Sequence, residues 1–290
     1  MGDSGEGLNK VTVLKYRSPK NRSSAEQTFY IVGTAHISRA SCEKTKAVIR
    51  EVKPEAVFLE LCEHRRALLR KVEHVRVPSL AELVSGASKG HITLFEALYS
   101  WMLAKFGSEM EVVPGEEFRV AHEEAKRIDA KIMLGDRPVP VTIARMWSSL
   151  SCWQKIRLCF HLLITGISLP SAEDMNKLLE ELAETDAVTE AIKELSQTFP
   201  TLAKHLIAER DLYMVYTMRQ LAGMASTVVA VVGAGHLPGI RENWEKDIDI
   251  REIARMPKKP PPPQKRWRYV AIISSSIVIV AFVTMRSRLR

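Results

Sequence analysis

Residues Thr227–Val232, TVVAVV, constrain the fold more than any other stretch of the chain. The run does not alternate between apolar and polar side chains, so neither face of an extended strand through it belongs in water. Burial of both faces is what a central strand of a parallel sheet provides, with helices above and below. Two more short apolar runs, Thr28–Gly33 and Ala56–Leu61, flank a helical period over Ser41–Val52, so a strand, a helix and a strand open the domain. Val11–Leu14 reads as an earlier strand, and Lys131–Leu134 as a later one behind a helix over Glu117–Ile128. From Val141 to about Met224 the periods are helical, with new helices beginning at Pro170 beside Ser171 and at Pro200. The fold expected is α/β: a mixed, mainly parallel sheet with a large helical insertion between its early strands and its last core strand. No repeat of solenoid period interrupts it.

A second apolar run has a different character. Tyr269–Met285 holds 17 residues without a charge, bounded by Arg268 and Arg286. As a helix it spans roughly 25 Å, slightly under a typical hydrocarbon core. Trp267 and Tyr269 stand where an interfacial aromatic belt belongs. Only five residues follow Met285, which predicts a tail anchor inserted after synthesis, with the body in the cytosol. A short span with basic flanks favours the mitochondrial outer membrane, with the endoplasmic reticulum or peroxisome membrane as alternatives. Four consecutive prolines, Pro260–Pro263, precede it as a semi-rigid spacer. The organisation expected is an α/β domain over 1–245, a Pro-rich basic linker over 246–268, the transmembrane segment over 269–285 and a basic tail over 286–290.

Charge fits that layout. The formal net charge is +8, but Arg255, Lys258, Lys259, Lys265, Arg266, Arg268, Arg286, Arg288 and Arg290 all lie near the C-terminal end. Without them the body is near neutral, which points to a membrane surface and away from nucleic acid. With 46% hydrophobic and 26% charged residues the body is globular in class. The four cysteines form no C-x-x-C pair and no zinc spacing, as free thiols in a reducing compartment do. The first residues carry no secretory leader, and Glu6 stands where a myristoylation motif needs Ser or Thr.

Two segments share one form. Gly33-Thr34-Ala35-His36 follows the strand FYIV, and Gly233-Ala234-Gly235-His236 follows TVVAVV. A glycine lets the chain leave the strand sharply, and in a parallel sheet both histidines emerge at the carboxyl edge, where such folds place ligands. Glu60 interrupts a third apolar strand, and a buried acid is costly unless paired or liganded. His36, His236 and Glu60 are thus candidate ligands for one divalent metal, which would polarise a carbonyl or activate a water for hydrolysis. Gly33 and Gly233 are the motif glycines. Glu60, with Arg65 and Arg210 as charged companions, makes up the candidate catalytic set. Glu209-Arg210-Asp211 and the Arg137 of Gly135-Asp136-Arg137-Pro138 fit a polar network, and read equally as a solvated face or as buried ion pairs tying the insertion to the sheet. The remaining histidines, His205 among them, read as structural.

The stretches IVGTAHIS, FLELCEHR, PGEEFRVAHEEA, LGDRPVPVTIARMW, ERDLYM and VVAVVGAGHLPGI resemble the TraB family, over roughly residues 28–240. The tail-anchored layout is similar to that of plant members on the mitochondrial outer membrane. One branch of the family comprises metal-dependent proteases that cleave Wnt ligands with two G-x-x-H motifs and a glutamate; the resemblance implies His36, His236 and Glu60 in those roles. This chain departs from that branch in facing the cytosol. The plant branch implies a tether between endoplasmic reticulum and mitochondria that binds VAP-type receptors and autophagy adaptors. VAP binding would use an acidic-flanked FFAT segment, to which Glu117–Glu123 corresponds in part, with Arg119 and Val120 breaking the pattern.

Overall fold

The structure is a computed structural model, and it describes residues 11–18, 26–34, 39–70, 82, 98, 101–102, 115–167, 197 and 200–257. Among the described residues five strands form one sheet: β1 (Thr12–Tyr16), β2 (Gln27–Thr34), β3 (Ala56–Leu59), β4 (Lys131–Leu134) and β5 (Thr227–Gly233). Their order across the sheet is β1-β2-β5-β3-β4. β1 runs antiparallel to β2, and every other pair is parallel. The sheet is therefore mixed and mainly parallel, as the apolar runs predict, and TVVAVV is its central strand.

The two faces of β5 explain why its sequence does not alternate. Val228, Ala230 and Val232 face one core cluster with Phe29, Ile31 and Phe58. Val229 and Val231 face another with Val32, Val57 and Leu59. The first face is covered by α6 (Glu209–Arg219) and α7 (Leu237–Asn243), through Met214, Val215, Met218 and Ile240. The second is covered by α1 (Arg39–Val52) and α2 (Glu116–Arg127), through Val48, Ile49, Phe118 and Ala121. Each fully buried side chain of this size contributes about 1.5–3 kcal/mol, so helices on both sides are what hold a strand of this composition.

Among the described residues four further helices are α3 (Val139–Ser149), α4 (Cys152–Ile167), α5 (Pro200–Ala203) and α8 (Ile250–Ala254). They make the helical region between β4 and β5 and the close of the domain. Pro200 opens α5, as the sequence predicts; Pro170 and Ser171 lie outside the described residues. Between α5 and α6 the helix widens to a π-turn over Lys204–Ala208, where the Glu209 N–H bonds Lys204 O. Such turns are uncommon and concentrate at functional sites.

The compact unit continues to Met256, beyond the 1–245 bound expected from sequence. α8 is tied in by Arg145, whose Nη1 donates to Glu252 O at 2.9 Å, and by Arg137, whose Nη1 donates to Ile253 O at 3.2 Å. Residues 258–290, with the anchor segment from Tyr269 to Met285, lie outside the described residues. Among the described residues no helix is long and apolar enough to cross a membrane. The FFAT-like Glu117–Glu123 lies in α2, with Phe118 buried against the sheet, so it is not an extended docking peptide here. All four cysteines are free, with Cys42 and Cys62 buried.

Candidate functional site

β2, β3, β4 and β5 run parallel, so their carboxyl ends share one edge. Glu60 follows β3, Asp136 follows β4, and His236 ends the short 3-10 turn Ala234–His236 after β5. Leu59 packs on the α1/α2 side, and Glu60, the next residue, meets α6 on the other. The sequence leaves its direction open; its partners decide it.

Glu60 is 3% exposed and fully engaged. Its Oε2 accepts the backbone N–H of Gly233 at 2.6 Å, its Oε1 accepts from Arg210 Nη2, and His236 Nε2 lies 3.2 Å from Oε1. The Arg210 guanidinium also grips Asp136, Nε to Oδ1 and Nη2 to Oδ2, both at 2.9 Å. A planar fork donating in this way holds both carboxylates in fixed positions. Asp136 further accepts the Arg137 backbone N–H at 2.7 Å. On the far side of the imidazole, His236 Nδ1 lies 2.5 Å from Asp211 Oδ1. Asp211, His236 and Glu60 thus form one line of hydrogen bonds, which Arg210 continues to Asp136.

The electrostatics follow from burial and partners. Burial opposes the charge on His236, but the Glu60 carboxylate and the bonds to Asp211 and Glu60 outweigh it and push the pKa up to about 9, with Arg210 working the other way. Burial raises the Asp211 carboxyl, against the His236 bond that lowers it. Burial lowers Arg210, but Glu60 and Asp136 more than compensate, so it stays charged. Counted formally, Glu60, Asp136 and Asp211 against Arg210 and a protonated His236 leave one negative charge.

Glu209, Arg210 and Asp211 are consecutive yet serve three partners, because helix residues project about 100° apart. Arg210 and Asp211 turn to the sheet edge. Glu209 turns to the insertion, where Arg145 binds it in bidentate fashion at 2.8 Å and Arg137 Nη1 reaches it at 2.5 Å. Arg137 has no exposed surface; its Nε donates to Thr142 Oγ1 at 2.9 Å and its Nη2 to His205 O at 2.5 Å. This second network joins α3, α6 and α8, so of the readings open for these charged segments the structure takes the buried ion pair over the solvated face. His205 takes part structurally, through its carbonyl and with Nδ1 3.0 Å from Glu209.

Two glycines permit close approaches. A Cβ on Gly33 would lie 2.6 Å from Leu237 Cδ1, so β2 can end against the turn after β5. A Cβ on Gly239 would lie 1.9 Å from Asp211 Oδ2.

Of the residues singled out from sequence, Glu60, Arg210 and His236 come together, and Gly233 supplies the N–H that holds Glu60. His36 lies outside the described residues. Arg65 stands apart: it sits on the 3-10 turn Glu63–Leu69, its backbone N–H bonds Cys62 O at 2.9 Å, and no ion pair joins it to Glu60. Asp136 and Asp211 were not singled out as site residues. Their signal lay in the GDRP and ERD segments, read only as a solvated face or as ion pairs.

The donors fit a divalent cation in kind. His236 Nε2 becomes a nitrogen donor once its proton leaves, in a ring oriented by Asp211, and Glu60 offers hard oxygens. Among the described residues no three His, Cys, Asp or Glu side chains are arranged to hold an ion, so a third ligand would come from outside them.

Residues 21–247 match the TraB/PrgY/gumN family. The chain is 34% identical over 279 residues to a TraB domain-containing protein of Bos taurus, across 87% of this chain and 71% of that one. It is 35% identical to a TraB domain-containing protein of Mus musculus, across 84% and 69% respectively. An uncharacterised protein of Methanocaldococcus jannaschii is 28% identical, across 89% and 65%.

Proposed function

The chain belongs to the TraB/PrgY/gumN family, and from that premise we propose that its carboxyl-edge cluster is a hydrolytic site held at an organelle membrane. The observation that carries the reading is the Asp211–His236–Glu60 line. Asp211 fixes the ring so that Nε2 faces Glu60, the arrangement of a histidine that either moves a proton or ligates a metal. Glu60, held by the Gly233 N–H and Arg210, is fixed beside the His236 ring as its carboxylate partner. Arg210, with 16% of its side chain exposed, is the cation that a substrate carbonyl or carboxylate meets first. His36, His236 and Glu60 would hold a divalent metal, which when bound supplies Lewis acidity and an acidified water.

The test is metal content and hydrolysis of short peptides and esters by residues 1–256, beside His36→Ala and His236→Ala. One divalent ion per chain, lost in both variants together with any turnover, supports the reading. A folded protein that takes up no metal after repletion and cleaves nothing removes it.

A second reading concerns address and partners, and the uncharged Tyr269–Met285 between basic flanks favours it. In it the segment anchors the chain in the mitochondrial outer membrane, with the domain in the cytosol serving organelle contact or mitochondrial quality control. VAP-type receptors of the endoplasmic reticulum and autophagy adaptors are its proposed partners, engaged outside Glu117–Glu123. Imaging of the tagged full chain against a chain lacking 258–290 tests it. Diffuse signal from both, or identical organelle signal from both, would remove the tail from this role.

A further inference from the structure

α4 turns an apolar stripe away from the protein. Trp153 is 72% exposed, Ile156 52%, Phe160 51%, Ile164 42% and Ile167 58%. At 100° per residue these five fall within an arc of about 80°. The opposite arc carries Leu158, Cys159 and Leu162, packed on Met146, Leu150 and Leu202. The helix is thus apolar on both sides, one face anchored to α3 and α5 and the other bare. Five exposed apolar side chains in one row mark a docking surface.

The composition of α4 points to its occupant. The helix holds Lys155, Arg157 and His161 and not one acidic residue. Arg157 and His161 are exposed and border the stripe, and Trp153 stands at its N-terminal end. An apolar stripe bordered along one side by Arg157 and His161, with an aromatic at its end, suits the headgroup boundary of an anionic bilayer. A protein partner brings no such requirement for the absence of acids. No helix among the described residues can cross a membrane, so this one would lie on the surface. Eleven residues, 258–268, separate the described domain from Tyr269, a reach of about 34 Å if extended. A domain tethered that closely meets the bilayer continually.

We propose that α4 is a second membrane contact: an interfacial helix that lays Trp153, Ile156, Phe160, Ile164 and Ile167 into an anionic lipid surface. The contact rests on the tail-anchor reading for proximity. It converts a swinging tether into a two-point attachment that fixes which side of the domain faces the lipid.

The test uses the full chain with Cys159→Ser, carrying an environment-sensitive fluorophore on the exposed Cys152. The chain is reconstituted with vesicles of phosphatidylcholine mixed with phosphatidylglycerol, and with phosphatidylcholine alone. Flotation reports the tail, and iodide quenching of the label reports α4. The expected result is flotation in both, with blue-shifted emission and severalfold less quenching in the anionic vesicles. Ile156→Asp with Phe160→Asp should restore full quenching without loss of flotation. Flotation with a label that iodide still reaches would overturn the helix contact and leave the tail reading intact. Failure to float would remove the tail reading and, with it, the bilayer as occupant. A label already shielded before vesicles are added would overturn the proposal in favour of a second copy or residues 168–199 on the stripe.

Discussion

Asp211 and His236 stand 25 residues apart and meet at 2.5 Å, Oδ1 to Nδ1, both buried. Gly239, on the first turn of α7, is what allows it: any larger residue there would occupy the place of the Asp211 carboxylate. Gly239→Ala should therefore reproduce the effect of Asp211→Ala. Each variant leaves the His236 ring without its orienting partner and costs about 1–3 kcal/mol. Urea denaturation of residues 1–256 measures this. If the Ala variant at 239 is as stable as the parent while Asp211→Ala is not, the close approach is not what the structure depicts.

Arg210 holds two buried carboxylates, so its removal should be among the costliest single changes. Arg210→Met leaves Glu60 and Asp136 without their cation, a loss of about 3–5 kcal/mol. Adding Glu60→Gln and Asp136→Asn should recover much of it, because the remaining groups are neutral. A triple variant no more stable than Arg210→Met would show that packing, and not charge, accounts for the loss. Arg65→Ala, by contrast, should leave stability within about 0.5 kcal/mol of the parent, since no ion pair connects it to the cluster.

Glu209 makes the domain sensitive to acid. Burial raises its carboxyl, but the bonds from Arg145, Arg137 and His205 win and hold the pKa at about 2, from an ordinary value of 4.5. A depressed carboxyl stabilises the fold fully above the unfolded value, and the contribution fades as pH falls from about 4.5 towards 2. Its size is on the order of 3 kcal/mol. The pH dependence of unfolding free energy should steepen across that window, and Glu209→Gln should flatten it. An unchanged slope in the variant would count against the network.

Gly135 follows β4 and lies under Phe58: a Cβ there would stand 1.8 Å from the ring. Gly135→Ala should cost about 1–3 kcal/mol or more through overpacking, and Phe58→Leu in the same chain should return part of it. Thermal melts of the two singles and the double form the cycle. Simple additivity of the losses would place the strain elsewhere.

The strands were legible because burial on both faces leaves an unmistakable mark. Lys131–Leu134 is β4 to the residue, and TVVAVV could only be central. Glu60 and His236 were legible for a related reason: polar residues at the ends of apolar strands. Asp211 and Asp136 were not, because their meaning depends on direction. Three charged residues in a row on a helix give no hint which neighbour each reaches. The π-turn just before them adds to the difficulty, since it shifts the phase of the helix and no 3.6-residue period reveals it. Arg65 misled for the opposite reason: nearness to Glu60 in sequence suggested a pair, but the chain turns into a 3-10 helix at Glu63 and leaves the sheet edge.

The place of β5 has a consequence for how the protein is made. Val229 pairs with both Tyr30 and Val57, so the last of the described strands to be synthesised sits between the second and the third. Until it arrives, β2 and β3 have no shared partner, and each presents an unpaired edge to the cell. Closing the sheet then requires contacts across most of the chain length, the kind that form slowly. A ribosome will have delivered nearly the whole domain before the two strand pairs can be joined. A chain ending between Leu134 and Thr227 would hold β1 with β2 and β3 with β4 but lack the strand that joins the two pairs.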